Sequence, residues 1–219
     1  MLNLTAWRDK WDIKSALLDY PVFSPPHLRS EIELPIGSAR ENFSYFLEHL
    51  SFRLCALQNF LKKFGVDATT DDQGLAAVSN WFRRYGGLLI YYQRQNTVTL
   101  RAFTNRDPTW TSEHVGINVV WDLGIYVGEC IIARYPSAYW ALNTGNPDPI
   151  SLKALGYHRP GVAGLYWPSE CDPITQIFID SQSMSFSMHG IGHKIILIGD
   201  LKSHVTAWSK ARSVSPMSV

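Results

Sequence analysis

Charge is scarce in this chain. Only 18% of its 219 residues are Asp, Glu, Lys or Arg, and they sum to +1 at pH 7. So small a net charge leaves no global field to draw in nucleic acid or an anionic membrane surface, and neither is expected as a partner. The basic pairs Lys62-Lys63 and Arg83-Arg84 fall at the ends of predicted helices, where they complement the carboxyl-end dipole. Cysteine is thin as well. Cys55, Cys130 and Cys171 are odd in number, far apart and without a CxxC pair. That excludes a zinc ribbon or a dithiol redox motif and suits a reducing compartment. The opening MLNLTAWRDKWDIK places Arg8, Asp9 and Lys10 where a signal peptide needs an apolar run. No stretch is expected to supply the roughly 20 apolar residues that cross a bilayer. A cytoplasmic location is the expectation.

Catalytic signatures are also wanting. The sequence has no GxSxG elbow, no P-loop and no GxGxxG following a strand. No cofactor is implied, and a catalytic role is not the first expectation.

Large apolar side chains are plentiful instead. Hydrophobic residues make up 46% of the chain and include eight tryptophans, enough to bury a substantial core. Leu4, Trp7, Trp11 and Leu18 follow helical spacing, so residues 4–19 are expected to form an amphipathic helix ending before Pro21. Four prolines between Pro21 and Gly37 predict an extended arm across the surface. Ser38-x-x-Glu41 reads as a capping box for a long core helix, with Phe43, Phe46, Leu47, Leu50, Leu54, Leu57, Leu61 and Phe64 at threes and fours and Gly65 as its stop. A second helix starts at Thr70 or Asp71, where Thr70-x-x-Gln73 reads as another box, presents Leu75, Val78, Trp81, Phe82 and Tyr85, and ends at Gly86-Gly87. Leu88–Tyr92 and Thr97–Phe103 suggest a hairpin. Asn118–Arg134 is apolar nearly all round and reads as a buried helix. Strands are expected around Ala138–Leu142, Val162–Trp167 and Lys194–Ile198, with a helix opened by Asp172-Pro173 and another after Asp200.

The fold class that results is α+β: an antiparallel helix pair and a buried helix packed on a small, mainly antiparallel sheet. The expected organisation is a helix and arm over residues 1–37, a single α+β domain over 38–208 and a flexible tail over 209–219.

The buried helix carries the most informative pattern. Asn118, Asp122, Tyr126 and Glu129, at spacings of four, four and three, form one polar stripe on an apolar rod. Gly124 and Gly128 make a smooth strip that lets another element come close. Two carboxylates there must face solvent, face a cleft or find partners, because unpaired buried charge is expensive. The stripe is either an acidic cleft for a basic partner or a metal, or a solvated face on which Glu129 caps backbone amides. His189-Gly-Ile-Gly-His193 offers a second cluster. Its glycines argue against a helix, and no Glu follows the first histidine, so the HExxH zinc pattern is not met. As a loop it could hold a metal with Asp122 or Glu129. Trp110, Trp140 and Trp167 mark either a binding surface or core.

From residue 42 to about 170 the chain resembles uncharacterised bacterial domain families of the immunity-protein type, found beside secreted toxins. The helix pair ending Trp81-Phe82 and Gly86-Gly87, the run Leu123-Gly124-Ile125-Tyr126-Val127-Gly128-Glu129, and Pro136 and Trp140 carry the likeness. The resemblance implies a binding role and supplies no catalytic residues. On this reading the chain is a non-catalytic immunity protein that neutralises a toxin, with Asp122, Tyr126 and Glu129 at the interface as an acidic face for a basic partner. Two alternatives stay open: a small metal-dependent hydrolase using Asp122 or Glu129 with His189 and His193, and a structural subunit of a larger assembly.

Overall fold

Helices dominate the computed structural model, which describes residues 4–90, 103, 110–145, 156–165, 171–188 and 201–210. In chain order they are α1 (Leu4–Ala16), α2 (Ile36–Lys62), α3 (Asp72–Tyr85), α4 (Gly116–Arg134), α5 (Pro173–Met188) and α6 (Leu201–Lys210). Strands β1 (Tyr139–Leu142) and β2 (Pro160–Ala163) lie between α4 and α5 and pair antiparallel, with Trp140 opposite Val162 and Leu142 opposite Pro160. The class is α+β.

The apolar rod read in the sequence is the central helix. Most of α4 is buried, from Ile117 through Ile131, and its main packing partner is α5. Contrary to the sequence expectation, α4 is long and apolar enough by length and composition to cross a bilayer, yet most of it is covered by the protein's own elements. The two glycines do what a smooth strip allows. A Cβ at Gly124 would run into the Ile174 backbone on α5, and one at Gly128 into the Trp140 ring on β1. A two-stranded sheet is marginal alone, and this one gains its footing by laying Trp140 on α4.

Local signals place several helix ends. Gly65, at φ +70°, terminates α2, and the Val66 N–H bonds back to the Leu61 carbonyl. Asp71 caps α3 by accepting from the Gly74 N–H at 2.8 Å. That bond, first among several, holds its carboxyl below the ordinary value. Asp172 caps α5, accepting from the Thr175 N–H at 2.9 Å, with Pro173 in the first turn.

Other expectations are corrected. The Ser38–Glu41 capping box does not form, because α2 already begins at Ile36, directly after Pro35. Glu41 instead meets His27 at 2.5 Å. The arm after Tyr20 is extended but does not simply cross the surface. Phe23 is 4% exposed and stacks on Trp121 at 5.0 Å between ring centres. Leu88 belongs to a 3₁₀ turn, Gly86–Leu88. Leu89 and Ile90, also expected as strand, follow it as buried, non-strand residues. Residues 91–102 of the expected hairpin, the Lys194–Ile198 strand, Trp167 and residues 211–219 of the expected tail lie outside the described residues.

α2 and α3 meet through rings near their C-terminal ends, where Phe60 and Phe64 pack on Trp81, and Phe64 on Tyr85. A second aromatic cluster joins Phe23, Phe103, Trp110, Trp121 and Phe178.

Candidate functional site

The four polar residues of α4 share one face, as their spacing requires, and each holds a different segment of the chain. The Asn118 side chain accepts from the Phe23 N–H at 2.7 Å and donates to the Trp110 carbonyl at 2.7 Å. The Asp122 carboxylate accepts from Arg53 Nε at 2.9 Å, from Arg53 Nη2 at 2.6 Å and from the Tyr20 hydroxyl at 2.6 Å. Arg53 also donates to the Pro21 carbonyl at 2.8 Å. The Tyr126 hydroxyl donates to the Thr69 carbonyl in the α2–α3 loop at 2.6 Å. Glu129 accepts from the Trp140 indole N–H at 2.7 Å. One helix face thus ties down the arm, α2, the α2–α3 loop and β1.

This corrects the expected acidic face. Asn118 and Asp122 are 0% exposed and Tyr126 is 1% exposed, so none offers surface to a partner. Glu129 is half-buried, with one oxygen engaged by Trp140. The reason is energetic: a buried carboxylate persists only where a cation and hydrogen bonds replace its water, and Arg53 and Tyr20 supply them. Burial is the largest influence on Asp122 and pushes its carboxyl up to about 6 against the pull of Arg53. Burial is the largest single influence on Arg53 and lowers it, but the charge and hydrogen bond of Asp122, with Tyr20 and Tyr45, together outweigh it, and the guanidinium stands above its ordinary value. Burial, then the Asp122 charge, raises the Tyr20 hydroxyl well above its ordinary range.

A second interior cluster had no signal in the sequence. Arg159, 0% exposed, donates from Nε to Glu31 Oε2 at 2.7 Å, pairs with the same oxygen through Nη2, and donates from Nη1 to Thr175 Oγ1 at 2.7 Å. Thr175 passes its hydroxyl hydrogen to Asp172, whose carboxyl burial raises. The Arg159 guanidinium lies 4.5 Å from the Phe103 ring centre. His158, at φ +58°, hydrogen-bonds through Nδ1 to the Glu31 carbonyl at 3.1 Å. Strained backbone beside paired charges is a pattern seen at active sites. Here the adjoining cavity, walled by Glu31, Asn42 and His158 among others, holds about 10 Å³, room for no more than a water. The cluster fastens the Glu31 turn to β2 and α5.

The surface feature lies on α1. Ile13 and Ala16 of the helix, with Leu17 and Tyr20 just past its end, are buried. Trp7 and Trp11 are 69% and 61% exposed and stack at 6.3 Å with their planes 12° apart. Leu18, 76% exposed, continues the stripe past the helix end. Beside it a groove of about 340 Å³ opens, lined mainly by Ile13, Leu17, Leu88 and Leu89, with Lys10 and Lys14. Two stripes at helical spacing compete in this segment, and the buried one was legible as Ile13, Ala16, Leu17 and Tyr20 at threes and fours.

Of the tryptophans singled out in the sequence, Trp110 is 1% exposed and Trp140 is half-buried on Gly128. His189 and His193 lie outside the described residues. Among the described residues no group of three or more His, Cys, Asp or Glu side chains is placed to hold a metal. Compared with models of protein families, with curated proteins and with solved structures, the chain matches none.

Proposed function

We propose that the chain is a non-catalytic protein-binding domain, an immunity protein that neutralises a cognate bacterial toxin. The observation that carries the binding part is the stacked, exposed Trp7–Trp11 pair with Leu18 beside an apolar groove. Exposed tryptophans on a rigid element are costly to leave in water, and they are the side chains that most often anchor protein interfaces. The toxin part rests on the likeness of the Leu123–Glu129 run and its neighbours to immunity-type domains. The hydrolase alternative draws no support from Asp122, whose carboxylate is already spent on Arg53 and Tyr20.

The test is capture from the native host with the tagged full chain and with a Trp7→Ala/Trp11→Ala double variant. Support is a partner held by the first and not the second that arrests growth when expressed alone and is harmless when co-expressed with this chain. A partner held equally by both chains, or one that is never toxic, sinks the proposal.

A further inference from the structure

We infer that the groove beside α1 receives a convex apolar segment of a protein partner that carries carboxylates, so the partner's docking face is acidic and apolar. The inference rests on the binding role proposed above and fixes the chemistry of the partner.

Shape is the first ground. The groove is concave, about 340 Å³, at the lower end of the range that takes a ligand or a side-chain cluster. Its walls are Ile13 from α1, Leu17 just past its end, Leu88 and Leu89 after α3, and Val115 before α4. Such a hollow is filled by a protruding apolar segment. A flat lipid surface would meet Trp7, Trp11 and Leu18 but leave the hollow open.

Charge is the second. On the helical wheel of α1, Lys10 and Lys14 fall between the tryptophan stripe and the buried Ile13–Leu17 face, on the groove side. Of the acids of this helix, Asp12 falls on the opposite flank and Asp9 at the Ala16 edge of the buried face. Asp9 pairs with Arg84 at 2.7 Å, and Asp12 with Arg8 at 3.9 Å. Among the described lining residues the titratable side chains are the two lysines. The exposed Lys14 ammonium at this rim attracts an incoming carboxylate and repels an incoming cation, which sets partner choice and register more than raw affinity. This reverses the charge sign expected from the α4 stripe: the partner-facing side is cationic and aromatic, and the carboxylates are inside.

The experiment selects a displayed library of random peptides against the immobilised full chain, then measures the enriched peptides against Lys14→Glu and Trp11→Ala. Both sites are exposed, so both variants are expected to fold. The expected result is enrichment of Leu- or aromatic-rich peptides bearing Asp or Glu, with binding weakened about tenfold by Lys14→Glu and more by Trp11→Ala. Enriched peptides without acidic bias that still depend on Trp11 overturn the partner chemistry and leave the binding face standing. No Trp11-dependent enrichment overturns both. A blue shift of tryptophan emission with phosphatidylglycerol vesicles but no Trp11-dependent peptide assigns the face to a membrane and overturns the inference. So does self-association that Trp11→Ala abolishes.

Discussion

Arg53 and Asp122, 69 residues apart, meet in a two-pronged ion pair inside the protein, with Nε 2.9 Å from Oδ1 and Nη2 2.6 Å from Oδ2. The pair joins α2 to α4, and through Tyr20 and the Pro21 carbonyl it also holds the start of the arm.

Arg53→Met is therefore expected to cost about 3–5 kcal/mol near neutral pH, because it leaves a buried carboxylate without its cation. The loss has a pH signature. The Asp122 carboxyl is already raised to about 6 by burial, above its unfolded value of about 3.9, and removing the guanidinium raises it further. A raised carboxyl contributes stability fully present below the unfolded value and lost as pH rises through the folded one. Urea unfolding should show a smaller penalty near pH 5 than near pH 8, and Arg53→Met/Asp122→Asn should recover most of it. An equal penalty at both pH values would reject the ion-pair account.

Tyr126→Phe removes one hydroxyl from the α2–α3 loop anchor at Thr69. The expected loss is about 1 kcal/mol, seen as a lower urea midpoint with an unchanged slope.

Gly128→Ala pushes a methyl into the Trp140 ring, whose indole is held by Glu129. Overpacking of this kind should cost about 1–3 kcal/mol in thermal unfolding. A neutral result would mean that β1 is free to shift outward.

The Trp7→Ala/Trp11→Ala double variant separates binding from folding. Both rings are largely exposed, so stability should change by no more than about 0.5 kcal/mol. Partner affinity should fall by about 2 kcal/mol or more, about thirtyfold, in calorimetry. A large stability loss with intact affinity would make the stripe structural.

The sequence by itself determined what is decided within a few turns of chain. The apolar run of α4, the stop at Gly65, the start of α3 to within a residue, the cap at Asp172, the strand at Trp140 and the smooth Gly124–Gly128 strip all rest on local periodicity, capping or the absence of a side chain. It also placed Asn118, Asp122, Tyr126 and Glu129 on one face. Only the tertiary structure decided which way that face points, because the cation that makes it buriable, Arg53, lies on another helix among apolar neighbours and reveals its role only on closure. The same holds for Glu31 and Arg159, 128 residues apart. On α1 two apolar stripes had nearly equal claims. The one carrying Ile13, Ala16 and Leu17 entered the core, and the tryptophans stayed outside as the surface most suited to a partner. Spacing alone does not rank two such faces; that choice belongs to the shape of the groove left by Leu88, Leu89 and Val115.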